Sequence, residues 1–369
     1  MSKRTCIRAA WILAVCLVCA WFFIPFKKVR LGLDLKGGVH YELEVQSQEA
    51  LQRDLEETRD RLQEQLKEQG CPSAVIRLEG ATLQIQGVPK AALDSVASGF
   101  REYAFAFSGD RGVLTQRPDH QRSVKASANQ RALQIIENRI NQFGVVEPEI
   151  TSGGPEGNRI IVELPGVEEG DRDRIKRLLS TPGRLELRLL ANVERTYFAS
   201  EPEALAHFGG TLPESTELFP EPLVERHGGV ATKPDEQDQA PVRRWILLER
   251  KVQLDGSTIT DARKSQSELG AHEVDFTLNQ QGAEANARVT EIASTQGRLF
   301  AFVLDRKIVS VLSAREKIIG GAVRISGQFS AEEADDLALK LRSGAMRASM
   351  KFLEERVVGP SLGQDSIRL

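Results

Sequence analysis

The residues best suited to catalysis lie near the C-terminus, where Gly359, Ser361 and Gly363 have the G-x-S-x-G spacing of a nucleophile elbow. A predicted strand precedes this motif, as the elbow requires. In folds that use it, the acid and the histidine of the triad follow the serine, and no histidine follows Ser361 in this sequence. The order of residues therefore argues against a membrane-anchored hydrolase that uses Ser361, which we keep as an alternative.

The glycine pair Gly37-Gly38 raises the question of a phosphate-binding loop. Such a loop places its glycines at the N-terminus of a helix, whose free amide groups point at the anion. Here the residues after Gly38 alternate between apolar and polar, which is typical of a half-buried strand. We therefore predict no phosphate site at this pair.

The histidines and cysteines do not fall at metal-ligand spacing. Cys71 is the one cysteine outside the N-terminal apolar segment and its flank, so no disulfide can form within the body of the chain. We predict no catalytic residue, no metal and no cofactor. Each histidine is expected at the surface or at a strand edge: His40, His120, His207, His227 and His272.

The length and charge of the chain exclude one functional class. With 369 residues, two or more domains are expected. The 49 basic and 52 acidic residues are mixed along the chain and give a net charge of −3. The chain therefore lacks the basic surface of a nucleic-acid-binding protein.

An uncharged apolar run at residues 9–26 is flanked by basic residues on both sides. At about 1.5 Å per residue it spans roughly 27 Å as a helix, which is enough for a membrane core. We predict an uncleaved transmembrane anchor after a cytoplasmic N-terminus at residues 1–8, with a cleaved signal peptide as the alternative. The long polar domain that follows is expected in the periplasm.

Hydrophobic periodicity predicts the main elements of that domain. Residues 31–45 alternate on both sides of Gly37-Gly38, which predicts one extended segment that the glycines kink or open to a close backbone. A helix at residues 49–69 carries a leucine stripe for packing on a sheet or, alternatively, for a coiled-coil arm. Capping boxes at Ser127 and Ser330 predict two further helix starts.

The later elements predict an α+β fold with one irregular insertion. Strand–helix–strand units suggest a sandwich of ferredoxin-like type. Residues 202–241 contain six of the chain's 15 prolines, which predicts an exposed and mobile insertion without a core. A hairpin at residues 298–312 turns at Asp305-Arg306, where the absence of glycine predicts a looser turn.

Six motifs in order resemble the SecD family of protein translocase subunits. They are LGLDLKGGVH at residues 31–40, ENRINQFGV at 137–145 with Glu147-Pro148, RIIVELPG at 159–166, LD at 304–305 with KIVS at 307–310, ISGQFS at 325–330 with Glu333-Ala334, and VGPSLGQDSI at 358–367. These short motifs are distributed over about residues 30–367, nearly the whole length of the sequence.

This resemblance implies an anchor followed by a periplasmic base and an inserted head. We place the anchor at 9–26, the base at 30–183 and 328–360, the head at 184–327 with a mobile insertion at about 200–242, and the lead-in to a further membrane helix at 361–369. The family chain continues into five more membrane helices that carry the proton path. This polypeptide is therefore expected to need a partner, or further chain, for proton coupling. Residues 343–350 lack the prolines usual in the family, which leaves their path open.

The function implied is non-enzymatic Sec-dependent export at the bacterial inner membrane, in which the domain binds emerging unfolded preprotein and moves with proton flow. The partners implied are a SecF-type subunit and the SecYEG channel. An assembly domain without its own client is a further alternative. Gly183 and Gly327 are candidate hinges, and Asp34 and Lys36 are candidates for fixing the first strand. The motif residues with expected structural roles are Leu33, Asp34, Leu35, Gly37, Gly38, Asn138, Arg139, Gly144, Pro148, Glu163, Pro165, Gly166, Gly327, Gly359, Pro360, Gly363 and Asp365.

Overall fold

The computed structural model describes residues 11–12, 14–15, 33–72, 74–108, 111–213, 215–222, 226–227, 230–231, 242–268 and 270–359. Of the apolar segment at 9–26 it describes four residues, all of them helical. Among the described residues, no helix is long and apolar enough to cross a membrane. Most of the predicted anchor lies outside these ranges.

The described chain is a mixture of helices and strands. The helices are α1 Leu33–Lys36, α2 Ser47–Glu68, α3 Lys90–Ala97, α4 Pro118–Phe143, α5 Glu169–Ser180, α6 Glu201–His207, α7 Gln280–Gln296 and α8 Ala331–Ser343. The strands are β1 Gly38–Val45, β2 Val75–Glu79, β3 Thr82–Gln86, β4 Tyr103–Ser108, β5 Arg111–Gln116, β6 Glu149–Gly153, β7 Arg159–Pro165, β8 Leu185–Leu189, β9 Tyr197–Phe198, β10 Thr216–Pro222, β11 Arg226–His227, β12 Val230–Ala231, β13 Val242–Glu249, β14 Leu254–Asp255, β15 Ile259–Gln266, β16 His272–Leu278, β17 Phe300–Leu304, β18 Lys307–Leu312, β19 Ala322–Phe329 and β20 Met350–Val358.

The base is built on an antiparallel sheet of order β20-β1-β7-β6. Alternate residues of β1 and β7 point to one face, where α4 and α5 cover them. The resulting base core includes Tyr41, Leu43, Val162, Ile136 and Leu179. Because β20 pairs with β1, strands that are about three hundred residues apart in the sequence lie side by side in this sheet.

A side unit follows β1 and has a core of its own. Its sheet has the order β2-β3-β5-β4, and α2 and α3 cover it. The leucine stripe of α2 is divided: Leu51 joins the base core, whereas Leu55, Leu62 and Leu66 join the side core. The helix therefore packs on neighbouring sheets, as the first of the two predictions required.

A buried polar network connects this side unit to α4. The carboxylate of Asp54 accepts hydrogen bonds from Tyr103 Oη, from Gln116 Nε2 (2.8 Å) and from His120 Nε2 (2.9 Å). Burial opposes ionisation of Asp54, but these hydrogen bonds outweigh it, and the pKa of Asp54 lies below its ordinary value. His120, expected at the surface or at a strand edge, is partly exposed in the first turn of α4 and is one of the partners that hold α2 against α4.

The head is inserted between α5 and β20. Among the described residues it contains four sheets, of orders β14-β8-β17-β18, β15-β16-β19, β10-β13-β9 and β11-β12. The head core joins the first two sheets with α7 and α8, and includes Leu187, Phe276, Val289 and Phe302. Most of the buried apolar side chains of α8, among them Leu337 and Leu341, lie in this core, and none lies in the base core. Helix α8 therefore packs with the head, whereas the family resemblance implies that residues 328–360 belong to the base.

Three local predictions are wrong. Residues Leu33–Lys36 form a helical turn, so the strand begins only at Gly38. Helix α4 begins at Pro118, and the hydroxyl of Ser127 donates to Val124 O within the helix instead of capping it. Part of the proline-rich insertion is ordered: α6 and β10 form there, and Leu218 and Phe219 are buried. Residues 223–225, 228–229 and 232–241 lie outside the described chain.

Candidate hinge between base and head

Two chain segments connect base and head, and both pass through a glycine with a left-handed backbone. The first leaves α5 and reaches Gly183, with φ 75°. The second leaves α8 at Gly344, with φ 89°. The two segments are hydrogen-bonded to each other, since Met346 N donates to Pro182 O at 3.0 Å. They therefore form one narrow connection.

The side chain of Arg139 fills the space between these segments. It projects from α4 and is 0% exposed. Its Nε donates to Ser343 Oγ (3.2 Å) and its Nη2 donates to Pro182 O (2.8 Å) and Gly344 O (3.4 Å). Its Nη1 donates to two further carbonyls, those of Leu178 and Thr181. All five guanidinium N–H groups are therefore used, and they bind both connections to one base helix.

The charge of Arg139 has a distant counter-charge on the head. Burial lowers the pKa of Arg139 to about 10, and the carboxylate of Asp305 acts in the opposite direction. The guanidinium thus stays protonated at neutral pH. A buried cation whose direct acceptors are all neutral depends on every hydrogen bond that it makes.

Asp305 holds the first connection from the head side. Its carboxylate accepts from Gly183 N (3.1 Å) and Arg184 N (2.9 Å), and its own N–H donates to Arg184 O (3.0 Å). Three hydrogen bonds thus connect the turn at Asp305-Arg306 to the segment Gly183-Arg184. The sequence predicted a looser turn. Because Arg139 holds the carbonyl of Pro182 and Asp305 holds the amide of Gly183, the boundary between base and head falls at that peptide bond.

The second connection returns to the base directly after Gly344. Arg53 Nη1 donates to Met346 O at 3.0 Å, and Glu49 accepts from Ser349 N (2.7 Å) and Ser349 Oγ (2.6 Å). Met346 is itself buried in the base core. The path of residues 343–350, which the sequence left open, therefore crosses from head to base at Gly344.

Replacing Gly183 with alanine is expected to destabilise this connection. The new Cβ would lie 2.6 Å from Arg139 Nη2, and the backbone has φ 75°. We expect the free energy of unfolding to fall by about 1–3 kcal/mol in denaturant titrations, from backbone strain and displacement of the guanidinium. Gly170→Ala in α5 is the control, because nothing lies within 4 Å of its Cβ. An equal effect in both variants would contradict the assignment.

The predicted hinge residue Gly327 lies elsewhere. It is inside β19, at an irregular register with β16, and a Cβ there would meet the Phe329 ring at 2.8 Å. Gly344 occupies the second connection instead. The sequence signal for it was available, because a glycine directly after a helix often ends that helix. Asp305 and Ser343 had no comparable signal.

The glycine pair of the first motif lies against the end of β7. A Cβ on Gly38 would lie 2.2 Å from Leu164 O and 3.0 Å from Pro165 Cα, so only glycine fits. Gly166 N also donates to Gly37 O at 2.9 Å. The close backbone approach predicted from sequence is therefore confirmed.

Other motif residues surround this contact or lie away from the hinge. Lys36 Nζ is 3.4 Å from Glu147 Oε2, and His40 Nδ1 is 3.1 Å from Glu163 Oε1. Leu33 is buried under Gly38, and Asp34 and Leu35 share its helical turn. Asn138 is exposed, Gly144 ends α4, Pro148 precedes β6, and Gly359 follows β20. Pro360, Ser361, Gly363 and Asp365 lie outside the described residues.

The part of the chain that the structure describes has no group of three or more His, Cys, Asp or Glu side chains able to hold a metal ion. The convergent polar groups are those of Arg139, Asp305, Arg53 and Glu49, and all four bind backbone or serine groups of the two connections. These contacts can hold the backbone of the two connections in place, or limit how it moves when the head rotates on the base.

Three family descriptions match separate parts of the chain. The SecD/SecF GG motif matches residues 22–49, the N-terminal P1 domain of protein translocase subunit SecDF matches residues 129–192, and the SecDF P1 head subdomain matches residues 231–348. Arg139 and Gly183 fall in the second match and Gly344 in the third.

Curated relatives and a solved structure agree with these matches. Protein translocase subunit SecD of Desulfurispirillum indicum is 34% identical over 100% of this chain and 68% of its own length. The protein of the same name from Aquifex aeolicus is 31% identical over 92% of this chain and 62% of its own length. This chain thus spans about two thirds of these relatives.

A crystal structure of SecDF in a super-membrane-facing form superposes with a TM-score of 0.51 at 25% identity, covering 99% of this chain and 37% of that one. The mixed helix and strand architecture therefore corresponds to part of SecDF. The relatives are named as translocase subunits and not as enzymes. The chain belongs to the SecD family of protein translocase subunits.

Proposed function

We propose that this chain acts in Sec-dependent protein export, as a membrane-anchored subunit whose periplasmic head moves on its base. The observation that carries the proposal is the narrow double connection at Gly183 and Gly344, where base and head each hold their own side of the boundary. Such a geometry lets two packed bodies rotate while a few backbone angles change.

The finer architecture that we propose has a ferredoxin-like base. In support, the base elements follow the order β1, α4, β6, β7, α5, β20, and their sheet order places the last strand beside the first. The same split β-α-β arrangement is typical of ferredoxin-like folds. The head is the long insertion before the last strand, and the anchor at residues 9–26 attaches β1 to the inner membrane.

The partners that we propose are a SecF-type subunit, the SecYEG channel and the emerging unfolded preprotein. Proton flow through membrane helices outside residues 1–369 would drive the head. In this scheme the head holds the preprotein on the periplasmic side and so promotes completion of its translocation.

A small apolar surface on the head is the proposed preprotein contact. Ile318 is 44% exposed and Ile319 is 85% exposed. Their loop is fixed to α7, since Ile318 N donates to Thr290 Oγ1 at 3.0 Å and Lys317 Nζ lies 2.8 Å from Glu291 Oε2. A fixed loop that exposes two adjacent isoleucines suits extended polypeptide, which offers apolar side chains before it folds.

Photo-crosslinking tests the export role. A photoreactive residue at position 319 is expected to crosslink to a secretory chain stalled in the channel, in membranes that contain this protein with its partner subunits. The exposed position 295 on α7 is the control, because it lies in a polar segment. Equal crosslink yields at positions 319 and 295 would contradict the proposed preprotein contact. Failure of this protein to restore export in cells that lack their own subunit would contradict the export role.

A further inference from the structure

A row of ion pairs joins base helix α5 to head helix α8. Arg174 Nε lies 2.7 Å from Asp336 Oδ1, and Arg177 Nη2 lies 3.0 Å from Glu332 Oε1. Arg174 also reaches Asp335 at 3.7 Å. In each pair the cation belongs to the base and the carboxylate to the head. The row therefore crosses the boundary that Gly183 and Gly344 define.

The two pairs differ in how far water reaches them. The side chains of Arg174 and Asp336 are 25% and 13% exposed, whereas those of Arg177 and Glu332 are about half exposed, at 53% and 54%. Arg174 is held further by the Phe143 ring, whose centroid lies 5.1 Å from its guanidinium carbon. The inner pair is thus ordered and partly desolvated. Removing one partner is therefore expected to cost more than at a surface pair, because the other charge stays partly buried without its counter-charge.

Because base and head have separate cores, this row of ion pairs can affect how the head is oriented on the base. The side chains of α5 that are buried in the base core, Ile175 and Leu179, do not share a cluster with those of α8, which lie in the head core. Separation of α5 from α8 would therefore hydrate charged groups and leave both cores closed. Leu178 of α5 and Leu339 of α8 are also buried, and they belong to neither core. The ion pairs are thus among the contacts that oppose rotation about the two glycines. Another is the hydrogen bond from Arg342 Nε of α8 to Gln142 Oε1 of α4, at 3.0 Å.

We propose that Arg174–Asp336, supported by Arg177–Glu332, is a salt-sensitive latch that holds the head in the orientation seen here. The latch rests on the proposed function only in that the head moves. It sets the ratio of closed to open molecules, and any event that competes for Arg174 or Asp336 releases the head. Its strength is set by one partly buried pair, so the closed state is favoured without being locked.

Distances between spin labels test the latch in the purified full chain. Labels on cysteines introduced at Ser152 in β6 and Thr295 in α7 report base and head, with the native cysteines replaced by serine; both positions are exposed. Asp336→Asn is expected to raise the ratio of open to closed distances about tenfold, as for loss of one charge-assisted hydrogen bond. Salt at 1 M, with a Debye length of about 3 Å, is expected to act in the same direction.

Two further variants decide between a latch and a general loss of structure. Asp275→Asn breaks a pair of the same 2.7 Å length inside the head, with Arg324, and is expected to leave the distances unchanged. The exchange Arg174→Asp with Asp336→Arg is expected to restore the closed distance. Unchanged distances in Asp336→Asn, or equal shifts in Asp275→Asn, would overturn the latch. Neither result depends on export, so failure of the latch and failure of the export role are separable.

Discussion

Replacing Arg139 with methionine is expected to lower the free energy of unfolding by about 3 kcal/mol or more, because several buried carbonyls lose their hydrogen-bond donor at once. Methionine fills a similar volume but donates to none of the five acceptors, which belong to both connections between base and head. The expected result is a chain whose head is no longer positioned by α4. Denaturant titration of the purified protein measures the loss.

Two other variants make the Arg139 result specific. Arg139→Lys keeps the charge but supplies three donors from one point, so it is expected to recover only part of the stability. Arg131→Met changes an exposed arginine of the same helix and is expected to alter stability by less than about 0.5 kcal/mol. A loss below about 1 kcal/mol in Arg139→Met would contradict the role of this side chain, because one ordinary hydrogen bond accounts for that much.

Replacing Gly38 with valine is expected to cost more than about 3 kcal/mol, because strand β1 then cannot lie against the end of β7. The first added carbon alone would lie 2.2 Å from Leu164 O and 2.9 Å from Leu33 Cδ1, and φ is 142°. Since β1 is a central strand of the base sheet, the chain is expected to lose base structure and support for export together. Thermal unfolding and an export complementation assay measure the two effects.

A control variant at Gly80 separates the cost of backbone strain from the cost of the steric clash expected at Gly38. Gly80 has φ 61° in the turn between β2 and β3, and nothing lies within 4 Å of its Cβ. Gly80→Ala is therefore expected to cost only the left-handed strain, about 1–2 kcal/mol. Normal stability and export in Gly38→Val would show that the close contact between β1 and β7 is not needed.

Long segments with a regular hydrophobic pattern could be predicted from the sequence, because their apolar residues lie on the face that packs in the core. The stripe of α2 and the Ser330–Glu333 capping box of α8 are present as predicted. The short segment at 33–36 was not, because its leucines fit a strand and a helical turn equally well. In the insertion, the density of prolines predicts the absence of a packed core, yet Pro220 and Pro222 both lie on the edge strand β10, where proline is tolerated.

The hinge could be predicted only in part for a physical reason. Arg139 and Gly183 follow from family motifs and from a helix ending, which are local features of the chain. The convergence of Arg139 on Ser343 and Gly344, about two hundred residues later, follows from tertiary packing and has no local signal. The same holds for Asp305, whose turn position was predicted although its contact with Gly183 was not.

The central claim is that the head must move on the base for export to proceed, and a reversible bridge tests it most directly. Cysteines introduced at Arg177 and Glu332 are joined by a reducible bismaleimide in membranes that contain this chain and its partner subunits. A bridge between Lys176 and Glu355, which are paired within the base at 2.8 Å, is the control. Bridging positions 177 and 332 is expected to stop export, reduction is expected to restore it, and the control bridge is expected to leave it unchanged. Export at the same rate with the head bridged to the base would contradict the claim.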